Sequence, residues 1–244
     1  MVEFLELTNI EANVGLPRPY TSIGFLGGPV GEHVDRWIKD RYEESMRGVG
    51  YNMETDLVEG SKPAYVSLAN IPLKRFGLRT ATQAELEYAK MLNDFDKKYG
   101  LDFMSKYEDS SLILRNLGGR NASLAKELAA QANFQGKPIV IPLHMTNVEV
   151  DGKELTFGLK KYAEVIETDI LNHTDYFKSG DIDLQTGIPL RMNEWGNRYM
   201  YGSKTGLSRL YLGTGHCLVA NEENMLGSSP NGRVVVVRPS PNFS

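Results

Sequence analysis

Gly206-Leu207-Ser208-Arg209-Leu210-Tyr211-Leu212 opens a stretch that closes on Gly232-Arg233-Val234-Val235-Val236-Val237-Arg238. Both ends carry the apolar density of strands. Between them, residues 213–231 follow neither the helical period nor the strand period. Leu212, Leu218, Ala220 and Leu226 recur as rungs expected to face inward, and Gly, Thr, His, Cys, Asn, Glu, Ser and Pro fill the intervals without order. An irregular stretch this long inside a compact domain is usually functional, and its vocabulary is that of adaptable binding loops. The plain alternative is a surface loop that is polar because it is exposed. Length, and the strong frame on both sides, favour a rigid frame around a display surface.

Working outward, the second half of the chain reads as β. Residues 138–143 form a short apolar strand, and Asn147 to Val150 and Leu155 to Leu159 flank Asp151-Gly152, a hairpin signal. Residues 173–206 are loop-rich, with Trp195, Tyr199 and Tyr201 read as buried anchors. The first half reads mainly as helix. Val34, Trp37, Ile38, Tyr42 and Met46 share one helical face, and Gly48 offers a stop. The preceding Gly27-Gly28-Pro29-Val30-Gly31 lacks the Gly-Lys-Ser/Thr of a phosphate loop and reads as a turn.

Tyr51 to Lys62 reads as a polar loop, and Ala64-Tyr65-Val66-Ser67-Leu68 as a short strand. Thr82 and Glu85 have capping-box spacing, followed by an apolar stripe of Ala84, Tyr88, Met91, Leu92, Phe95 and Tyr99 that Gly100 ends. Residues 111–115 fit a strand or a helix end. A further helix spans residues 121–134, with Leu124, Leu128 and Ala132 inward. Helices early and strands late indicate an α+β chain with a late, mostly antiparallel sheet, because a parallel sheet needs helices between its strands.

Composition sets the outer limits. The chain has 244 residues, 41% hydrophobic and 24% charged, an ordinary globular balance. A net charge of -4 lacks the basic footprint of nucleic-acid binding. No apolar run is long enough to span a membrane. The first residues carry no export signal, and the single Cys217 excludes an internal disulfide framework. The expected location is therefore cytoplasmic or virion-associated, unless another export route operates. Residues 1–60 are expected to be an N-terminal extension packed on a main domain of residues 61–244.

Candidate chemistry is sparse. His216 and Cys217 are adjacent, but neighbours on an extended segment face opposite ways. Asp175, Asp181 and Asp183 form a loose acidic group without calcium-loop spacing. No catalytic residue, metal ligand or cofactor is assigned.

These residues carry a family resemblance. The 206–212 strand, the irregular run and the 232–238 close resemble the C-terminus of variable proteins of diversity-generating retroelements, particularly those of archaea and their viruses. Leu78-Arg79-Thr80-Ala81-Thr82-Gln83-Ala84-Glu85-Leu86-Glu87-Tyr88-Ala89 is similar to the conserved helix of the formylglycine-generating-enzyme branch of the C-type lectin fold. The resemblance covers roughly residues 65–238 and implies a C-type lectin-like ligand-binding domain. It also implies a variable region of about 206–238, rewritten by error-prone reverse transcription at template adenines.

Asn codons are the usual targets in such systems. Gly213, Thr214, Gly215, His216, Cys217, Val219, Asn221, Asn224, Gly227, Ser229, Pro230 and Asn231 are all reachable from them. Glu222, Glu223 and Met225 are not; they are either fixed positions or products of AAR lysine codons, and Glu222 and Glu223 are kept among the ligand-binding positions. The implied partner is a variable macromolecule, a protein or surface glycan, without nucleic acid. The alternatives are a Cys-dependent or metal-assisted enzyme of the formylglycine-generating-enzyme-like superfamily, or an invariant binding module. The enzyme relatives use active-site cysteines, and only Cys217 is present here, so activity is not carried over.

Overall fold

The computed structural model describes residues 5–6, 20–91, 107–151, 154–213, 215 and 217–240. They form an α+β fold built on two sheets. Strands β1 (Leu5–Glu6) and β2 (Tyr20–Phe25) precede helix α1 (Gly28–Tyr42), and a hairpin of β3 (Gly50–Asn52) and β4 (Leu57–Glu59) follows. Helix α2 (Pro63–Leu73), strand β5 (Arg79–Thr80), helix α3 (Gln83–Met91), strand β6 (Glu108–Leu114) and helix α4 (Ala122–Gln131) complete the first half. Strands β7 (Ile139–Pro142), β8 (Thr146–Asp151), β9 (Glu154–Leu159) and β10 (Ile166–Glu167) come next. They are followed by β11 (Asp175–Phe177), β12 (Ile182–Asp183), β13 (Ile188–Pro189) and β14 (Arg198–Tyr201). The chain ends in β15 (Leu207–Leu212), β16 (Leu218–Val219) and β17 (Val235–Pro239).

The larger sheet has the order β10-β7-β6-β15-β16-β14-β11, antiparallel except where β16 runs parallel to β14. The smaller sheet, β1-β2-β17-β5, pairs an early strand with the last one. Strand β17 is buried on both faces: Val234 and Val236 pack with α1 and α2, while Val235 and Val237 pack with Tyr20, Leu86 and Tyr88. That two-sided burial is why the run is all valine rather than alternating. In the large sheet, Leu112, Leu114, Ile139, Ile141 and Leu207 face the helical core. Ile113, Val140, Met200, Leu210 and Leu218 face the opposite cluster around Phe177. Within residues 20–59, β2 joins the smaller sheet, β3 and β4 pair only with each other, and Tyr20, Ile23, Leu26, Val34, Ile38 and Val58 enter the cores.

The two ends of the opening stretch therefore lie in different sheets, with residues 213–231 running from one to the other. Three local expectations are corrected. Ala64 to Leu68 is not a strand but the first turns of α2, begun by Pro63. Ten of its residues are buried, from Pro63 to Asn70 and at Pro72 and Leu73, so no amphipathic period marks it as helix. Tyr51 to Lys62 holds the β3–β4 hairpin, turned by Asp56 at φ 58. In the β8–β9 hairpin Asp151 pairs with Glu154, one residue later than the expected turn.

The capping box forms as read: Thr82 N–H donates to Glu85 Oε2 (2.9 Å), and Glu85 N–H to Thr82 Oγ1 (3.2 Å). Residues 111–114 resolve as the end of strand β6, with Arg115 just beyond it, and α4 buries Leu124 and Leu128. Ala84 and Tyr88 are buried, whereas Met91 is 44% exposed. Leu92, Phe95, Tyr99 and Gly100 lie outside the described residues.

Candidate functional site

Residues 217–231 have little regular structure beyond β16, yet from Ala220 onward their backbone is held at repeated points from outside. Strand β15 supplies the first anchors. Arg209 N–H donates to the carbonyl of Glu222 (2.8 Å), and its guanidinium donates to the carbonyls of Gly227 (3.0 Å) and Asn224 (3.5 Å). The same guanidinium is clamped from behind by buried Asp109, with Nε to Oδ1 at 2.8 Å and Nη2 to Oδ2 at 2.5 Å. Two-point ion pairing fixes direction as well as distance.

A second arginine works upstream. Arg115 donates to the carbonyls of Leu171 (2.9 Å) and Ala220 (2.5 Å) and to Ser208 Oγ (2.7 Å), while Ser208 Oγ donates to the same Ala220 carbonyl (2.8 Å). Burial lowers the Arg115 pKa to about 10, opposed by the charge of Glu223; the side chain stays cationic at neutral pH. Asn121 Nδ2 donates to the carbonyl of Glu223 (2.8 Å). Downstream, Arg233 donates to the carbonyl of Pro230 (3.2 Å) and pairs with Glu59 (3.0 Å). Tyr107 N–H reaches the carbonyl of Asn231 (3.3 Å).

The acceptors at residues 220, 222, 223, 224, 227, 230 and 231 are thus all backbone oxygens. Every residue type offers the same carbonyl, so these bonds do not depend on which side chains the segment carries; Glu223 and Ser228, whose Oγ donates to the carbonyl of Gly48 (2.7 Å), add side-chain anchors.

The side chains of the expected positions divide. Gly215, Asn221, Pro230 and Asn231 are exposed, and Cys217, Val219, Asn224, Gly227 and Ser229 are half-buried. Thr214 and His216 lie outside the described residues. Gly213 is buried, its N–H donating to the Cys217 carbonyl (2.9 Å), and a Cβ there would stand 3.2 Å from Val219. Glu222 accepts from Asn224 N–H (2.6 Å) and Glu223 from Arg120 N–H (3.3 Å), so both carboxylates brace the loop. The rungs Leu212, Leu218 and Ala220 are buried as expected. The last one is corrected: Met225, not Leu226, is the buried residue, because the turn at 225–226, closed by Gly227 N–H on the Asn224 carbonyl, shifts the phase.

A row of tyrosines continues this surface. Val219 is in register with Tyr201 on one side and Tyr211 on the other, so all three share a face of the sheet. Tyr199 packs edge-on against Tyr201 (centroids 4.7 Å) and Tyr176 (4.8 Å), and Tyr211 against Tyr107 (5.7 Å). Tyr176 is 47% and Tyr201 42% exposed. The anchor expectation is corrected here: Trp195 is 81% exposed, and the tyrosines pack on one another at the open face. Their alternation, Arg198-Tyr199-Met200-Tyr201, is the sequence signal that would have found them. Arg115, Arg233 and Asn121 carried no such signal.

Two depressions flank the segment. One of about 300 Å³ lies among Ser61, Tyr107, Arg209, Tyr211, Asn224 and Ser229. The other, about 500 Å³, lies among Asn121, Glu127, Glu154, Thr156, Glu223 and Leu226. Burial pushes the Tyr211 hydroxyl up to about 12, so it stays a neutral donor.

The acidic group is not gathered into a site. Asp181 pairs with Arg191 (3.0 Å), Asp183 caps its own turn at Gln185 N–H (2.9 Å), and Asp175 sits exposed on β11. Among the described residues, no three His, Cys, Asp or Glu side chains are placed to share a metal ion, and no helix is long and apolar enough to cross a membrane. Comparison with protein-family models, curated proteins and solved structures finds no match.

Proposed function

We propose that the protein is a ligand-binding display protein whose surface at residues 213–231 is diversified by a retroelement, on a C-type lectin-like scaffold. The observation that carries this reading is the attachment of the segment through its own carbonyls. A loop held by Arg115, Asn121, Arg209 and Arg233 keeps its course when its outward side chains change. Exposed substitutions shift stability by only about ±0.5 kcal/mol, so diversity at Asn221, Pro230 and Asn231 is compatible with one fold; Cys217 and Val219 are half-buried, and Gly215 at φ +68 disfavours any side chain.

Binding energy would come from the few variable residues that become hot spots. The open row Tyr176, Tyr199 and Tyr201 adds rigid aromatic area beside them. A broad face of this kind suits a macromolecule, a protein or surface glycan. The bracing by Glu222 and Glu223, and the burial of Gly213 and Met225, favour a frame role for those positions within the variable stretch.

Sequencing the DNA around the coding region tests the reading. A near-copy of the segment encoding residues 206–238, with adenines at the variable codons, is expected beside a reverse-transcriptase gene. A locus with neither would overturn it.

A further inference from the structure

The lining of the depression of about 300 Å³ joins Tyr107, Arg209 and Tyr211 of the frame to Glu222, Asn224 and Gly227 of the segment. Its charges are already matched. All five N–H groups of Arg209 are engaged. Asp109 takes Nε (2.8 Å) and Nη2 (2.5 Å), the Ser61 carbonyl takes Nη2 (3.4 Å), and the carbonyls of Gly227 (3.0 Å) and Asn224 (3.5 Å) take Nη1. An anion would find no free donor on Arg209 and would face the Glu222 carboxylate. A cation would meet that carboxylate only within reach of the Arg209 charge, which acts on it. Taking an ion out of water needs a free partner, so the depression favours a neutral ligand.

What stays open is a mixed set of donors and acceptors. The hydroxyls of Tyr107 and Tyr211 make no hydrogen bond to a described residue, and neither is shut off from solvent. Glu222 uses Oε1 for Asn224 N–H (2.6 Å), and its Oε2 has no partner among the described residues. Asn224 uses Oδ1 for Leu226 N–H (3.3 Å), while its Nδ2 lies over Gly227, 2.7 Å from where a Cβ would stand. These groups converge, because the Glu222 charge and the Tyr107 hydroxyl both act on the Tyr211 hydroxyl.

Each hydroxyl of a sugar both donates and accepts, and neighbouring hydroxyls on one ring meet such a set at fixed spacing. A single peptide amide would leave part of it unpaired, at a cost. The Tyr107 and Tyr211 rings, 5.7 Å apart with 63° between their planes, add an apolar corner for the C–H groups of a sugar. The volume sits at the lower end of small-molecule sites, with room for one sugar ring.

We propose that this depression binds one neutral sugar ring of a surface glycan, its hydroxyls on Tyr107, Tyr211, Glu222 Oε2 and Asn224 Nδ2. The inference rests on the display reading for the size of the ligand and narrows that ligand from protein or glycan to glycan. Tyr107, Tyr211 and Glu222 belong to the frame, so every variant shares the sugar-binding groups, and Asn224 selects among sugars.

The experiment is saturation-transfer NMR of the full chain with the methyl glycosides of glucose, galactose, mannose and N-acetylglucosamine. Glucosamine, glucuronate and N-acetylglutamine methylamide serve as cationic, anionic and peptide controls. At least one neutral glycoside should bind saturably and more tightly than every control. Its affinity should be flat between about pH 6 and about pH 9, because the Tyr211 hydroxyl, pushed up to about 12, stays neutral throughout. It should also be indifferent to salt, since no ion pair forms on binding. Tyr107→Phe and Tyr211→Phe, which keep the rings, should each weaken it about three- to tenfold, and Glu222→Gln about tenfold. No saturable binding of any neutral glycoside, tighter binding of a control, or unaltered affinity in both phenylalanine variants would each overturn the proposal. Sugar binding at a locus without the adenine-marked near-copy would keep this site and sink the display reading; the near-copy without sugar binding would do the reverse.

Discussion

Helix α3 and residues 213–231 both lean on the large sheet and both are held by buried or half-buried arginines, but the arginines grip different things. Around α3 they grip side chains. Arg79 takes both oxygens of Glu85, Arg198 takes both oxygens of Glu87, and Gln83 links Glu87 to Ser110. Around residues 213–231, Arg115, Arg209 and Arg233 grip carbonyls. The first arrangement needs particular residues at particular positions. The second needs a backbone that follows the same path, with side-chain braces only at a few positions such as Glu222, Glu223 and Ser228. A protein can therefore carry a sequence-intolerant helix and a sequence-tolerant loop on one sheet.

The largest effect should come from breaking the clamp that serves the loop. Arg209→Met leaves Asp109 buried without its cation and frees the carbonyls of Gly227 and Asn224. A loss of about 3–5 kcal/mol in denaturant unfolding is expected. A loss near zero would mean the loop is held by its side chains after all.

Protonation probes the side-chain-dependent region. His144 is buried beside Arg79 and Lys160, and burial first, then those charges, hold its pKa down to about 3. Its folded value lies below its unfolded value, so its contribution is complete above about pH 6.5 and declines as pH falls toward about 3. Relative to His144→Gln, the unaltered protein should lose about 2–3 kcal/mol between about pH 7 and about pH 4.5, read by urea unfolding at each pH. A parallel pH dependence of the two proteins would contradict this.

A smaller effect is expected at the helix cap. Thr82→Ala removes the acceptor for Glu85 N–H and should cost about 1 kcal/mol by thermal or urea unfolding. The smallest belongs to the loop: Asn221→Ala, Pro230→Ala and Asn231→Ala should each stay within about 0.5 kcal/mol of the unaltered protein in the same assay. The contrast between Thr82 and Asn221, both polar and both near a turn, is the comparison in miniature.

What could be read in advance follows from what leaves a periodic trace. Helices α1, α3 and α4 have one buried face or a cap, and they were legible. Helix α2 is buried all round, so Ala64 to Leu68 looked like a strand. The irregular segment was legible as irregular, because absence of period is itself visible. Its anchors were not, since a carbonyl acceptor leaves no mark on the sequence and Arg115 reads like any arginine. The tyrosines were misassigned for a related reason: an aromatic residue looks the same whether it closes a core or stands on an open face.

The central claim is that the fold depends on side-chain identity around α3 and not along the outward positions of residues 213–231. Two randomised libraries test it directly, one at Cys217, Val219, Asn221, Pro230 and Asn231, the other at Gln83, Glu85, Glu87, Ser110 and Arg198. Resistance to protease on a display surface is the measurement. Most members of the first library and few of the second should remain resistant. Equal surviving fractions would contradict the account.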